Sequence, residues 1–163
     1  MTAQSTQTNA GNHTWQAIDG NAQTRWCASS GKKPAWIQLA FEKPVSLSGA
    51  EVDWERGDQW MQYSIETSSN GTNWDKAFDA SKNMTGGARR DNFSATNVRF
   101  LKVNILGQQN KLWPSLWELR LYGTEGNQLA LFPRLEKQQA RSAPKDYKKS
   151  GNYPPHPHRL SAA

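Results

Sequence analysis

The residues at positions 17–26, which read AIDGNAQTRW, contain oxygen donors suited to binding a metal ion. Asp19 offers a carboxylate, Thr24 offers a hydroxyl, and a tight turn can direct the backbone carbonyls near Ala17 and Asn21 at the same point. Calcium takes about six to eight oxygen ligands at roughly 2.3–2.6 Å, and short irregular loops can supply them. The segment has too many turn formers for a strand and no helical apolar period. Its composition is therefore compatible with a calcium-binding loop.

A second carboxylate that fits such a site lies about a hundred residues later in the chain. The segment Ser115–Gly123 alternates apolar and polar side chains, as a half-buried strand does, and Glu118 lies near its start. Glu118 could complete a calcium site begun by Asp19. The same loop also fits an Asx turn in which Asp19 caps its own backbone, and the spacing is not that of an EF-hand. Both interpretations remain open from these residues alone.

Two tryptophans in polar segments could form a site for carbohydrate. Trp60 lies beside Glu55 and Arg56, and Trp113 lies in a second polar segment. Sugars present apolar C–H faces between hydroxyl groups, so their sites combine a flat aromatic ring with charged or amide groups of fixed geometry. The alternative for each indole is packing within its own loop or in the core. The tryptophans for which we expect packing in the core are Trp26, Trp36 and Trp74.

Motifs of the common hydrolases and nucleotide-binding enzymes do not occur in the chain. The sequence has no Gly-x-Ser-x-Gly elbow, no His-Glu-x-x-His and no phosphate-binding loop. Its three histidines lie at position 13 and near the C-terminus, so Cys27 has no neighbouring histidine to activate its thiol. We therefore expect Cys27 to fill space in the fold, and the protein to be non-catalytic.

The positive charge of the chain belongs mainly to its C-terminal part. Of the net charge of +6, residues 1–123 contribute +2 (13 Lys and Arg against 11 Asp and Glu), and residues 124–163 contribute +4 (7 against 3). A nucleic-acid-binding domain concentrates positive charge on its folded face, so we expect no nucleic-acid partner. No apolar run approaches the roughly 20 residues of a membrane span, which argues against a membrane protein. The single cysteine excludes an internal disulfide.

Short segments of alternating apolar and polar residues, separated by turn residues, predict an all-β fold. Asn70-Gly71 is the strongest hairpin signal, because both central residues of a type I′ turn need positive φ. After Gly123 the chain becomes rich in proline and basic residues, which predicts a domain over 1–123 and a disordered linker or tail over 124–163. The segments expected to form strands are the surroundings of Thr2 and Phe93, and Ala35–Phe41, Val45–Trp54, Gln62–Ser68, Trp74–Phe78, Val98–Val103 and Trp117–Tyr122.

The order of these motifs resembles that of the factor V/VIII type C, or discoidin, domain. The matching frame is AIDGN..TRW, PAWIQLAF, WE, Y.IETSSNG..W, VRFLKVN and SLWELRLYG, and it covers roughly Met1 to Gly123. The bacterial form of this domain is the carbohydrate-binding module of family 32. Because this chain has no internal disulfide, it is similar to that bacterial branch. The resemblance implies an eight-stranded jelly-roll β-sandwich of the galactose-binding-like type. It also implies a secreted, cell-surface or periplasmic location.

Within that family the chain is similar to one subgroup more than to another. Galactose-binding members place a histidine where this chain has Cys27 and an arginine where it has Glu55. The pattern Trp54-Glu55 together with SLWE is instead similar to modules attached to chitosanases and β-glucanases, in which a carboxylate holds an amino group or a hydroxyl. Asp91 resembles an acidic position of that subgroup. The two arginines before it depart from the pattern and disfavour a strictly cationic sugar.

These features together predict a non-catalytic, calcium-stabilised module that binds a glycan such as a β-glucan or a chito-oligosaccharide. Such a module would target a covalently linked or partner enzyme that acts on glycosides. The alternative is a discoidin-type adhesion module that binds a membrane surface or a protein through residues at its loop tips. The predicted sugar-binding residues are Glu55, Arg56, Trp60, Asp91 and Trp113, and the predicted calcium ligands are Ala17, Asp19, Asn21, Thr24 and Glu118.

Overall fold

Antiparallel β-strands form nearly all the regular structure of the described residues. The structure is a computed structural model that describes residues 1–3, 5–87, 90–110, 112–129 and 131. Two 3-10 helices, Thr8–Ala10 and Thr14–Ala17, precede the main strands, and among the described residues no helix is long and apolar enough to cross a membrane. The strands are β1 (Thr2–Ala3), β2 (Trp26–Cys27), β3 (Ala35–Trp54), β4 (Met61–Ser68), β5 (Asp75–Asp79), β6 (Arg90–Gln108) and β7 (Ser115–Gly123).

Strands β3 and β6 are long and take part in both layers of the fold. The order of hydrogen-bonded strands is β2-β7-β3-β6-β4-β5, with β1 paired to β3. In the first half of β3, residues 35–40 pair with β6, and Ile37 and Gln38 pair also with β1, whereas in the second half residues 47–51 lie between β6 and β7. The two halves of β3 therefore belong to two different layers. This confirms the predicted all-β sandwich.

The predicted strands Ala35–Phe41 and Val45–Trp54 are the two halves of one strand, β3. The predicted segments around Phe93 and at Val98–Val103 likewise both lie within β6. Pro44 has no backbone N–H to donate to the ladder, and the register between β3 and β6 shifts between Ala40 and Val45. The proline thus interrupts the ladder without ending the strand. The two fusions reduce the eight expected strands to six, and β2, which was not predicted, brings the described residues to seven strands.

Apolar side chains that alternate along the strands meet between the two layers and form the core. Trp26 is fully buried, as expected, and its indole N–H donates to the Thr6 hydroxyl at 3.2 Å. Trp36 and Trp74 are only half-buried, so the expectation of core packing is wrong for both. They lie on the outer side of the sheet or beside it. Core residues with almost no exposed surface include Ile37, Leu47, Ile65, Leu101, Val103, Ile105, Leu119 and Leu121.

The chain turns back onto the sheet after Gly123 instead of leaving the domain there. The backbone N–H of Gly123 donates to the Asn127 carbonyl at 2.9 Å, and that of Leu129 donates to the Leu121 carbonyl at 2.7 Å. The domain therefore continues past the predicted boundary at 123, at least as far as Leu129. From position 132 onward, the predicted linker or tail lies outside the described residues.

The close approach of β3 to β6 at Gly49 leads to a test of the fold. A Cβ atom at Gly49 would lie 2.7 Å from the backbone oxygen of Asp91, which is too close for carbon and oxygen. We expect Gly49→Ala to lower the free energy of unfolding by about 1–3 kcal/mol, because overpacking moves the backbone. Denaturant titration measures this change. Gly57→Ala is the matched control, since its nearest atom would be 3.7 Å away, and equal losses in both variants would contradict the prediction.

Candidate functional site

Four loops meet at one end of the sandwich, because both long strands begin and end there. The described residues of these loops are 28–34, 55–60, 80–87, and 109–110 with 112–114. Backbone hydrogen bonds between the loops and the neighbouring strand ends hold them together. The bonds are Gly87 N–H to Gly57 carbonyl (2.7 Å), Gln109 N–H to Trp60 carbonyl (3.1 Å), Ala28 N–H to Pro114 carbonyl (2.8 Å) and Glu55 N–H to Ser115 carbonyl (3.2 Å).

The two predicted sugar-binding tryptophans lie on adjoining loops of this end. Trp60 is half-buried, and its backbone is fixed by Gln109, which donates to the Trp60 carbonyl and accepts from the Trp60 N–H through its side-chain oxygen at 3.3 Å. Trp113 is 45% exposed and follows Leu112, which is 37% exposed. The Lys33 ammonium donates to the Leu112 carbonyl at 3.4 Å. Trp113 therefore offers the more accessible indole, on a loop held from two sides.

Glu55 does not stand alone, because an arginine that sequence reasoning missed lies beside it. The Arg25 Nε atom is 3.4 Å from a Glu55 carboxylate oxygen, and its guanidinium lies 5.5 Å from the ring centre of Trp117. That Nε is buried and has no hydrogen-bond partner. Arg25 therefore neutralises part of the charge of Glu55. The TRW motif drew attention to the loop, but no spacing rule joined Arg25 to Glu55 across the roughly thirty positions between them.

Arg56 and Asp91, which were predicted to contact sugar with Glu55, have different positions. Arg56 is exposed, and its carbonyl accepts from the Gln59 N–H at 3.0 Å within the loop turn. Asp91 is 1% exposed and its carboxylate accepts a hydrogen bond from the Tyr63 hydroxyl. The expectation that Asp91 faces a sugar is therefore corrected, because its side chain lies in the interior. Its strand position, opposite Ala50 in β3, directs it inward.

Tyr63 connects this buried carboxylate to a shallow depression between the loops. Its ring meets Trp54 edge-on, with centroids 5.2 Å apart at an interplanar angle of 62°. The depression has a volume of about 260 Å³ including its open mouth. Trp54 and Tyr63 therefore line this depression, whereas the sequence analysis assigned them only to predicted strands. The residues that line the depression are Val52, Trp54, Gln59, Met61, Tyr63, Asn83, Thr85 and Gly87.

The predicted calcium loop brings oxygen atoms together around Asp19. The Thr24 hydroxyl donates to an Asp19 carboxylate oxygen at 2.7 Å and contacts the Asn21 carbonyl at 3.0 Å. The other Asp19 oxygen accepts from the Asn21 N–H at 2.9 Å, so the Asx turn considered as the simpler interpretation is present. Glu118 reaches the same loop, where it accepts from the Gly20 N–H at 3.0 Å. The loop therefore contains both the Asx turn and a set of oxygen atoms that lie close together.

The two carboxylates of this loop, Asp19 and Glu118, both have raised pKa values. Burial raises the pKa of Asp19. Burial, followed by the charge of Asp19, raises the pKa of Glu118 to about 7. Arg120, whose charge opposes the shift at Glu118, lies 2.7 Å from Glu51 and 3.6 Å from Asp53, so its charge is shared with those carboxylates. A divalent ion would relieve the repulsion between Asp19 and Glu118.

The oxygen donors of this loop fit calcium in type. Asp19 and Glu118 would supply carboxylates, Thr24 a hydroxyl, and Asn21 and Ala17 backbone carbonyls. Ala17 ends the second 3-10 helix just before the loop and is fully buried. Among the described residues no group of three or more His, Cys, Asp or Glu side chains forms a metal cluster. A calcium ion here would therefore depend on hydroxyl and backbone oxygens for most of its shell.

Cys27 lies at the join between this loop and the loop end of the sandwich. It is 5% exposed, and its thiol donates to the Ala28 carbonyl at 3.4 Å. Burial raises the pKa of the thiol, which keeps it protonated. Its strand, β2, pairs with β7 through Trp26–Leu116 and Cys27–Ser115. The thiol has the environment of a packing residue, not that of an activated nucleophile.

Comparisons with known proteins point to one family. The F5/8 type C domain model matches residues 1–119. Chitosan-binding module 2 of a chitosanase/glucanase from Paenibacillus sp. IK-5, solved with chitotriose, has 32% identity and a TM-score of 0.67, over 75% of this chain and 94% of that one. Chitosan-binding module 1 of the same enzyme has 27% identity and a TM-score of 0.65, over 75% of this chain and 92% of that one.

A more distant structure supports the fold alone. CBM32 of AlyQ, in complex with 4,5-unsaturated mannuronic acid, has 23% identity and a TM-score of 0.63, over 74% of this chain and 92% of that one. No curated protein sequence matches the chain significantly. The matched structures are thus similar to most of the described part of the chain.

The raised pKa of Glu118 leads to a pH-dependent stability in the absence of divalent ions. The folded protein holds the Glu118 proton up to a pH of about 7, whereas the unfolded chain releases it near 4.5. In excess chelator, the free energy of unfolding should therefore fall as pH rises from about 4.5 to 7, by at most about 3 kcal/mol from this group. Urea titrations at several pH values measure the slope.

Glu118→Gln distinguishes the titration of Glu118 from that of other groups. The amide does not titrate, but its oxygen can still accept from the Gly20 N–H. The variant should lose most of the slope. Glu125→Gln, at an exposed turn residue, is the control and should keep the wild-type slope. An unchanged slope in Glu118→Gln would show that the Glu118 carboxylate does not titrate as described.

Proposed function

Because the chain belongs to the F5/8 type C domain family, we propose that it is a non-catalytic carbohydrate-binding module whose site lies at the loop end of the sandwich. The observation that carries the proposal is the exposed indole of Trp113, on a loop that adjoins those of Trp60 and Glu55. An exposed ring beside charged groups of fixed geometry suits the alternating apolar and hydroxyl surface of a sugar.

The ligand class we propose is a β-glucan, a chito-oligosaccharide or a related glycan. It is supported by the 32% identity to a chitosan-binding module solved with chitotriose. The ion pair between Arg25 and Glu55 favours ligands that offer a hydroxyl over ligands that offer only an ammonium. A hydroxyl can donate to the carboxylate and accept from the guanidinium at once, whereas an ammonium meets the positive charge of Arg25.

In this mechanism Trp113 stacks against the apolar face of one sugar ring. Trp60, fixed by its two hydrogen bonds with Gln109, limits the width of the site. Glu55 orients a hydroxyl or amino group, and Arg56 extends into solvent where it can contact a neighbouring sugar unit. Shallow sites of this kind bind with dissociation constants of roughly 0.1–1 mM, which corresponds to about 4–5.5 kcal/mol.

Calcium at the Asp19 loop would act as a structural ion in this protein. The ion would join the loop to β7 through Glu118, and so fix the start of the strand that carries Trp117. Since Trp117 supports Arg25 and Arg25 pairs with Glu55, the ion would stabilise one side of the sugar site. In a secreted or cell-surface protein, the module would bring an attached or partner enzyme to its glycan.

One observation favours a second candidate function, adhesion to a membrane surface. Leu112 and Trp113 are adjacent and exposed, Met84 on a neighbouring loop is 63% exposed, and Lys33 lies beside Leu112. Apolar residues at loop tips with a nearby cation can insert among anionic lipid headgroups. Binding to anionic vesicles that weakens steeply with salt, without any glycan binding, would favour this function over the first.

Removal of the exposed indole tests the sugar site directly. We expect Trp113→Ala to abolish detectable binding of chito-oligosaccharide or β-glucan oligosaccharide, because loss of one stacking platform costs about 1–3 kcal/mol of an already weak affinity. Glu55→Gln should weaken binding about tenfold by removing a charge-assisted hydrogen bond. Isothermal titration measures both, and Trp60→Ala extends the series.

Lys43→Ala is the control for these variants, since Lys43 is exposed and lies in the middle of β3, away from the two strand ends that adjoin the loops. It should bind glycan as the wild type does, and the melting temperature of every variant should stay close to that of the wild type. If Trp113→Ala and Glu55→Gln both bind normally, the sugar site lies elsewhere.

Chelation tests the proposed calcium ion. Excess chelator should lower the melting temperature by several degrees, because an ion that binds only the folded state contributes about 2.7 kcal/mol at a hundredfold excess over its dissociation constant. Asp19→Ala should melt at the same temperature with and without calcium. Asp58→Ala, at an exposed carboxylate in another loop, should keep the calcium response. A wild-type melting curve that ignores chelator would exclude the structural ion.

A further inference from the structure

Aromatic side chains on the outer face of the β3–β6–β4 sheet form a cluster that the loop site does not use. Trp36 on β3, Phe100 and Lys102 on β6, and Trp74 just before β5 make up this group, called here the outer-sheet cluster. All four are half-buried, although the outer face of such a sheet is usually polar. The two tryptophans are those whose core packing the structure contradicts.

The geometry of the outer-sheet cluster places a cation between two indoles. The Lys102 ammonium lies 3.7 Å from the ring centre of Trp74 and 5.8 Å from that of Trp36. Trp74 also meets Phe100, with centroids 6.5 Å apart at an interplanar angle of 61°. A cation held against indole faces is fixed in place while it keeps its charge. The arrangement thus presents two flat rings and one positive charge on the same surface.

The hairpin between β4 and β5 holds Trp74 in this position. The Asn70 side-chain oxygen accepts from the N–H groups of Thr72 and Asn73, each at 2.9 Å, which fixes the turn just before Trp74. A Cβ atom on Gly71 would lie 3.2 Å from the Phe100 ring, so the turn lies directly against the cluster. The rings are therefore ordered before any ligand arrives, which reduces the entropy cost of binding.

Lys102 differs from the neighbouring lysine in its ionic partners. Lys76 lies 2.9 Å from the Asp79 carboxylate. Among the residues that the structure describes, no carboxylate lies within ion-pair distance of Lys102. Glu66 stands opposite both lysines in the ladder, and its charge contributes, after Asp79, to raising the pKa of Lys76. Lys102 therefore keeps a positive charge available to a ligand.

From these observations we propose that the outer-sheet cluster is a second glycan site, which takes a sugar bearing a carboxylate. One ring face of the sugar stacks on Trp36, since the Lys102 ammonium covers the face of Trp74, and the sugar carboxylate accepts from that ammonium by a charge-assisted hydrogen bond. This site is separate from the loop site and does not depend on the proposed function of that site. A uronic-acid oligosaccharide is the ligand class that matches both features.

Other ligand classes match the outer-sheet cluster less well. A neutral sugar would form no ion pair with Lys102. A nucleic acid is bound through several phosphate contacts, and this cluster offers one cation without a carboxylate partner among the described residues. A membrane requires apolar side chains that protrude, whereas these rings are half-buried against a sheet. Charge and shape together therefore favour an acidic sugar.

The test compares an oligogalacturonate with the same oligosaccharide after its carboxyl groups are reduced to alcohols. Isothermal titration should show that the wild type binds the acidic form at least about tenfold more tightly. Raising salt to about 1 M, where the Debye length is about 3 Å, should weaken that binding. Lys102→Gln should weaken it about tenfold or more, and Lys102→Arg should restore most of it. The melting temperature of each variant confirms that it is folded.

Trp113→Ala separates this site from the loop site, because it should bind the oligogalacturonate as the wild type does. The proposal is overturned if the wild type does not bind the acidic oligosaccharide, or if Lys102→Gln binds it unchanged. It is also overturned if Trp113→Ala loses this binding, since the acid would then occupy the loop site. Chito-oligosaccharide binding by Lys102→Gln reports on the loop site independently.

Discussion

The antiparallel pairing of β3 with β6 is the constraint on which the rest of the structure depends. Both strands run through the two layers of the sandwich, and their register extends from Ala35–Ile105 to Glu51–Arg90. Since each strand passes from one layer to the other, its two ends return to the same end of the sandwich. The four loops that adjoin these ends therefore meet, although they are far apart in sequence. The candidate sugar site results from this pairing more than from any single motif.

The charged residues near the hydrogen bonds that join the loops form two different arrangements. At the loop end, Glu55 forms an ion pair with Arg25. Burial raises the pKa of both Asp19 and Glu118, and the charge of Asp19 raises the pKa of Glu118 further. We propose that the first arrangement binds ligands with hydroxyl groups and that the second holds a divalent ion. The two sites are connected through Trp117, which lies next to Glu118 in sequence and against Arg25 in space.

The sequence predicted the class of fold, but not which face each side chain takes. Period-two patterns identified most strand segments, and Asn70-Gly71 identified the hairpin, because these signals are local. The fusion of two predicted segments into β3 depends on pairing with β6, which no local pattern reports. Asp91 looked like an exposed acid beside arginines, yet its place opposite Ala50 turns it toward Tyr63. Trp74 looked like core because an indole is apolar, yet the hairpin places it outside.

The buried thiol of Cys27 gives the protein a reporter of its own local motions. The two-residue strand β2 joins the Asp19 loop to β7, and the thiol becomes accessible to reagents only when that short pairing opens. Local openings of this kind have their own free energies, below that of global unfolding. The rate of thiol labelling in the native state therefore measures how firmly the loop is attached to the sheet. No labelling site has to be engineered, since the chain contains a single natural cysteine, Cys27.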